Sequence, residues 1–308
     1  MVEADIILSI VPPRDAIATA RRVLEGCKTA SKQRAERRGT AAVAEAPSVL
    51  YLDLNAISPK TTKLIASFLS SEQMPATPSL RRSLTRTLSF IAEPEVEPVP
   101  IQFTDGGIIG GPPSLQEDQT WKCPSMVISG PKADVLPEEL RKILNMKIVS
   151  DKIGSASALK SCFASLTKGL TALSIMSYTT AHTCGVLPEL QEHLEKYSPR
   201  THALANSSLT SMPPKAYRWV DEMKQIGETF SEEGGFTAGL GGDVFQGISD
   251  IYKLVADGTV LGKEKSEKRK RGTKPEDVAE CVAEGIQKKR RKDAGEEKLD
   301  LTWRGSWS

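Results

Sequence analysis

Aromatic residues are scarce in this chain, only 5% of its 308 residues. A core of ordinary size must therefore be assembled mainly from Ala, Leu, Ile and Val. Cysteine is scarce as well. Cys27, Cys123, Cys162, Cys184 and Cys281 are odd in number, widely scattered and contain no CxxC pair. That pattern argues against a disulfide framework and a zinc site, and fits reduced thiols in a cytoplasmic setting. Cys162, among the apolar positions of a helical stretch, reads as a packed core thiol. His182, His193 and His202 stand 11 and 9 residues apart, with no close pair of the kind a metal motif uses, which leaves no metal constellation. No apolar run approaches the ~18 residues that span a bilayer. The N-terminus places Glu3 and Asp5 before a short apolar stretch, which is not a signal peptide.

What is present is ordinary in bulk and uneven in detail. The 39% hydrophobic and 26% charged content is that of a soluble globular protein. The net charge of +2 conceals a local surplus, because Lys263–Lys292 carries twelve Lys/Arg against six Asp/Glu. The rest of the chain is net negative and gives no general reason to expect nucleic acid as a partner. Within the basic stretch, EKSEKRKRG and QKKRRKD have the composition of a nuclear localisation signal or a polyanion contact. No aromatics are interleaved with them, so a solvated helix and charged linker is the preferred reading. Trp303 and Trp307, in the closing LDLTWRGSWS, are expected to dock on the helical region or on a second subunit.

Along the chain, Ile6–Val11, Val49–Leu54, Ile101–Asp105, Met126–Ser129 and Met146–Val149 read as buried strands. Helices fall between the first three, at Arg14–Cys27 and at Pro59–Leu69, the latter opened by Ser58 as N-cap and Pro59 in the first helical position. Alternating strand and helix predicts a parallel sheet with crossover helices. Lys28–Pro47 and Ser70–Pro100 lack a good apolar period and read as surface insertions; the second holds Arg81-Arg82-Ser83, a weak kinase-site match. From Gly154 the pattern is helical only. Ala158, Leu159, Cys162, Phe163, Leu166, Leu170, Leu173 and Met176 recur at helical spacing and read as a core stripe. Further helices are expected at Pro188–Lys196, Pro213–Glu233, Asp243–Asp257 and Pro275–Lys292. The glycines of GGFTAGLGG, residues 234–242, follow a helix and not a strand, so they read as an inter-helix turn.

Three features carry chemistry. ADIILSIVPP is a strand running into a Pro-Pro loop. YLDLNAISP is a strand ending in Asp53 and Asn55. The third is FTDGGIIGGPP together with DKIGSASALKSCFASLTKGL. Ligands of parallel α/β sheets bind beyond the carboxyl ends of the strands, so these loops point the right way. On helix pattern alone, Lys160 is either a snorkelling lysine beside the apolar stripe or a group facing a ligand, with Thr167 about two turns on and nearly in register.

In order and spacing these motifs resemble the β-hydroxyacid dehydrogenase superfamily, which includes the 6-phosphogluconate and 3-hydroxyisobutyrate dehydrogenases. The resemblance covers roughly residues 1–260 apart from the insertions, with the GxASALK…TKG pattern at Gly154 to Gly169. It implies an α/β plus all-α protein: an incomplete Rossmann-like parallel sheet (residues 1–150), then a 6-phosphogluconate dehydrogenase-like helical domain (151–262), then a basic tail (263–308). It implies that Lys160 matches the family's catalytic lysine, taking the substrate hydroxyl proton while hydride passes to NADP or NAD. Gly110 and Gly111 match the paired glycines that admit the substrate carboxylate. Thr167 and Lys168 are implied to face the substrate, Val11, Pro12 and Pro13 match the loop near the cofactor's adenosine half, and Asn55 matches a polar position near its nicotinamide end. The implied partners are a small hydroxyacid and a second copy of the chain. Three positions depart from the pattern: Ala164 stands where the family has Asn, Ile109 where it has Ser, and Ala56 where it has Thr. No glycine-rich turn precedes the first strand, so the chain reads as starting after its first phosphate-binding element. The alternative reading is a non-catalytic, dimeric binding or scaffold protein of the same shape.

Overall fold

The computed structural model describes residues 4–38, 48–71, 100–264 and 268–304. It divides into two units, residues 1–162 and 163–308. The pattern change at 150/151 precedes the structural division, which falls inside a helix.

The first unit is a five-stranded sheet in the order β1-β2-β3-β6-β7. Its strands are β1 (Ile6–Ser9), β2 (Val49–Asp53), β3 (Ile101–Ile109), β6 (Ser125–Ser129) and β7 (Met146–Ser150); a short ribbon of β4 (Ser114–Leu115) and β5 (Trp121–Lys122) projects between β3 and β6. The first three strands are parallel. β6 pairs with β3 antiparallel, and β7 runs parallel to β6. The expected parallel sheet is present in three of the four pairings, and the β3–β6 pair adds one antiparallel step. β3 also continues past Asp105, because Gly106–Ile109 pair with β6 after β2 has ended at Asp53. Gly106 and Gly107, beyond the strand expected to end at Asp105, are extended strand here.

Both faces of the sheet are covered, as strands with two buried faces require. On one, α1 (Ala16–Arg38) and α2 (Pro59–Ser71) pack Ala16, Ala20, Val23, Ile65 and Leu69 against Val49, Tyr51 and Phe103. On the other, Leu50, Leu52, Leu54 and Ile128 meet Ala133, Leu136 and α3 (Glu138–Ile143). The Ser58 cap is present, with its Oγ accepting from the Thr61 amide at 3.1 Å. α1 is longer than its apolar pattern, so residues 28–38, read as part of an insertion, are helical. Residues 39–47 and 72–99, with Arg81-Arg82-Ser83, lie outside the described residues, as do Trp307 and the side chain of Trp303.

The second unit is helical, built from most of α4 (Ser155–Thr183) with α5 (Leu187–Tyr197), α6 (Pro199–Ser211), α7 (Ala216–Glu232), α8 (Val244–Gly258) and α9 (Pro275–Arg304). Its core joins Ile175, Tyr178, Leu209, Met223, Ile226, Tyr252 and Val255 to Val278, Ala279, Cys281 and Val282. The start of α9, assigned by sequence to the basic tail, is thus part of this core. The face of α4 is corrected as well. Small residues lie inward, among them Ala164, Ala172 and Ala181, while Phe163, Leu166, Leu173 and Met176 are exposed. Cys162, on the apolar side, is exposed and not a packed thiol. Among the described residues no helix is long and apolar enough to cross a membrane.

Candidate active site

A polar row crosses the sheet where β1 and β2 end. Ser9, Asp53, Asp105 and Ser129 are in register on β1, β2, β3 and β6, and all four are buried. A carboxylate in such a place needs donors, and Asp105 has them. Its Oδ2 accepts from Ser129 Oγ at 2.7 Å and from the amides of Gly154, Ala156 and Ser157 at 2.9, 3.0 and 3.2 Å; its Oδ1 accepts from Ser157 Oγ at 2.5 Å. These amides belong to the first turn of α4, where a helix has unsatisfied N–H groups and a partial positive charge. Asp105 therefore caps α4 from the middle of a neighbouring strand. Gly154, with φ +99°, makes the turn into the helix possible. Ser157 adds a hydrogen bond of 3.0 Å to Thr62 of α2.

This clamp sets where Lys160 goes. One turn beyond Ala156 and Ser157 on the same face of α4, Lys160 lies over β3, two residues past Asp105. A Cβ at Gly107 would sit 3.0 Å from both Cβ and Cδ of Lys160, so the lysine stem occupies the space a side chain would fill. Gly106 is hemmed in on the other face of the strand, where a Cβ would meet Leu54 Cδ2 at 2.8 Å. Lys160 is half-buried. Asp53 is 1% exposed; its Oδ1 accepts from the Asn55 amide at 2.9 Å, and its Oδ2 has no hydrogen-bond partner. Burial pushes its carboxyl up to about 6; Asp105 adds to the rise, while hydrogen bonding from Asn55 and the charge of Lys160 oppose it.

The other residues singled out by motif fall into place with varying purpose. Asn55 is buried and committed. Its Nδ2 donates to Ser9 Oγ at 2.9 Å, and its Oδ1 accepts from the Val11 amide at 2.6 Å. It thereby fixes the Val11-Pro12-Pro13 loop against the end of β2. Gly110 and Gly111 lie beyond the end of β3 and are exposed, Gly110 at φ +111° beside Pro124. It is Gly107, not this pair, that touches Lys160. In the second unit, Thr167 is an exposed hydroxyl bonded back to Phe163 O and Ala164 O. Lys168 is ion-paired with Glu222, with its Nζ 5.3 Å from the Trp219 ring centre.

Sequence reading missed the Asp105–Ser129–Ser157 clamp and the role of Gly107. A signal was available. Asp53 and Asp105 both follow apolar strand segments, and an acid inside a buried strand demands donors from elsewhere.

Comparison with known proteins bears on the fold. Residues 181–255 match the family described as a domain of unknown function, DUF1932. A conserved hypothetical protein from Sinorhizobium meliloti 1021 is similar at 18% identity over 92% of this chain and 76% of its own, with a TM-score of 0.55. Protein MTH1747, described as structurally similar to 3-hydroxyacid dehydrogenases, is 23% identical over 83% of this chain and 76% of its own, with a TM-score of 0.50. The chain has a 3-hydroxyacid dehydrogenase-like fold. The fold class and the superfamily resemblance read from the motifs agree with this. Among curated proteins no match is found.

Proposed function

We propose that the protein is an oxidoreductase of the hydroxyacid dehydrogenase type, with Lys160 as general acid/base and NADP, or NAD, as hydride carrier. One observation carries this reading: a half-buried lysine lies over a strand stretch without side chains, near the buried carboxyl of Asp53, at the carboxyl ends of parallel strands. Ligands of such sheets collect there.

Oxidation of a hydroxyacid needs a base for the hydroxyl proton as hydride leaves the same carbon. Nicotinamide, when bound, supplies the hydride acceptor. The amine of Lys160 takes the proton. Packing over Gly107 narrows the positions that amine can reach. Asp53, once ionised, favours the ammonium that proton transfer creates. Asn55, beside which the nicotinamide end of the cofactor would lie, also holds the Val11–Pro13 loop that would face the adenosine half. Residues 10–15 and 54–58, which link strand to helix, contain no glycine. Neither link can wrap backbone amides round a pyrophosphate as a glycine-rich turn does. The residues present thus fit the nicotinamide end and not the phosphates.

The exposed apolar row Phe163, Leu166, Leu173 and Met176 on α4 supports a homodimer. It also favours a second reading, a dimeric binding protein without catalysis. Fluorescence titration with NADPH, followed by turnover on a panel of small hydroxyacids, separates the two. Saturable binding and Lys160-dependent turnover are expected. No binding at ~1 mM NADPH, tighter than which ordinary cofactor affinities lie, would leave only the second reading.

A further inference from the structure

The helical unit gathers three cations with no acid set against them. Lys215 ends the single helical turn Pro213–Lys215 that leads into α7, and Arg218 stands one turn further on. Arg269 arrives from the segment before α9. Its Nη1 donates to Thr210 O at 2.6 Å and its Nη2 to Gly272 O. The Arg269–Gly272 segment lies against the turn that carries Lys215, since a Cβ at Gly272 would be 3.5 Å from Pro213 Cγ. Burial, then the charges of Arg218 and Arg269, hold the Lys215 ammonium below the usual lysine range.

Five of the acids on these elements are engaged elsewhere. Glu222 pairs with Lys168, Asp221 with Lys224, and Asp277 and Glu280 with Arg271, while Glu264 accepts from the Lys270 amide. Among the described residues, none forms an ion pair with Lys215, Arg218 or Arg269. Two plainer accounts cover part of this. Arg269, through Thr210 O, satisfies the carboxyl end of α6, but that leaves Lys215 and Arg218 beside it unexplained. A solvated basic face would keep its cations apart and in water, whereas Lys215 and Arg269 are half-buried. Like charges held together and partly desolvated cost free energy unless an anion joins them.

We propose that Lys215, Arg218 and Arg269 form a binding site for the phosphate group of a small phosphorylated molecule. A phosphate offers several acceptor oxygens and up to two charges in a compact volume, which suits two guanidinium forks and an ammonium that lie near one another. A nucleic acid strand needs a track of cations along its backbone, and three at one place do not make one. Arg269, anchored on two carbonyls, is the fixed member; Lys215 and Arg218 close on the ligand. The site is independent of the Lys160 reading and stands whether or not the protein oxidises anything.

The test is calorimetric titration of the full chain at low salt with inorganic phosphate, glycerol 3-phosphate and a short single-stranded oligonucleotide, against chloride at matched ionic strength. Saturable binding of phosphate and the monoester is expected, weakened about tenfold or more in K215Q/R218Q, one decade in affinity being the least that losing two charged donors should produce. Arg218 is exposed and Lys215 half-buried, and circular dichroism of the variant checks that it folds. R269Q, which also loses its carbonyl contacts, serves as a second variant with the same expected loss. Equal phosphate binding by wild type and K215Q/R218Q would overturn the proposal, as would no saturation with either phosphate compound. Binding of the oligonucleotide alone would overturn it too, in favour of a polyanion contact.

Discussion

Replacing Asp53 by Asn should make the protein's stability less dependent on pH, in a calculable direction. The carboxyl of Asp53 titrates at about 6 in the folded protein and at 3.8 without its surroundings. Between those values the folded state keeps a proton that the unfolded state has lost, so stability falls as pH rises. Below ~4 both states are protonated and above ~6 both are ionised, and there the slope vanishes. The gap of about two pH units corresponds to about 3 kcal/mol of stability lost on going from pH 4 to pH 7. Asp53 is 1% exposed, so solvent screening takes little from this figure. In D53N the amide is neutral at every pH, while its Oδ1 can still accept from the Asn55 amide. Hydrogen exchange of the β2 amides, corrected for intrinsic rates, reads the difference where it arises. Protection in D53N relative to wild type should rise by roughly a hundredfold between pH 4 and pH 7, following the same free energy. A ratio that stays constant over that range would show that Asp53 is not the buried acid described here.

Four further outcomes follow from the same geometry. K160M should lower kcat/KM for the hydroxyacid by ~10²–10⁴-fold, the usual worth of a general base, with no change in melting temperature. G107A should displace the Lys160 stem and reduce turnover by about tenfold, about 1.4 kcal/mol in the barrier; unchanged kinetics would mean the lysine does not need that space. D105A strands the amides of Gly154, Ala156 and Ser157, at roughly 1–3 kcal/mol for each buried group left unsatisfied, so thermal unfolding should show a large loss or no folded first unit. F163D/L166D should convert a dimer to monomers in sedimentation velocity; a wild-type protein that is already monomeric would refute that use of the α4 face.

Much of the framework was legible because buried strands announce themselves as apolar runs, and five such runs became the five strands of the main sheet. The one antiparallel pairing within it was not legible. β6 reverses against β3 through Gly106–Ile109, and nothing local in that glycine-containing segment distinguishes extended strand from turn. α6 escaped notice because its sequence, PRTHALANSSLTS, buries only Ala205 and Leu209. In α4 the period was right and the face wrong: Phe163, Leu166, Leu173 and Met176 lie outward, while Ala164, Ala172 and Ala181 pack inward with Ile175 and Tyr178. At the candidate site, the motif located Lys160, but its position over Gly107 depends on a strand–helix approach that only coordinates supply.

The Asp105 clamp has a mechanical corollary. A helix advances ~100° per residue, a full turn in 3.6 residues, so a slip of one position at its origin would swing every later side chain round the axis. Three amides and a hydroxyl seated on one carboxylate forbid that slip at Gly154–Ser157. Lys160 follows within a single turn, too close for bending or fraying further along α4 to re-aim it. The azimuth of the Lys160 amine is thus indexed from its own end of the helix, and sequence changes further along α4 leave it in place.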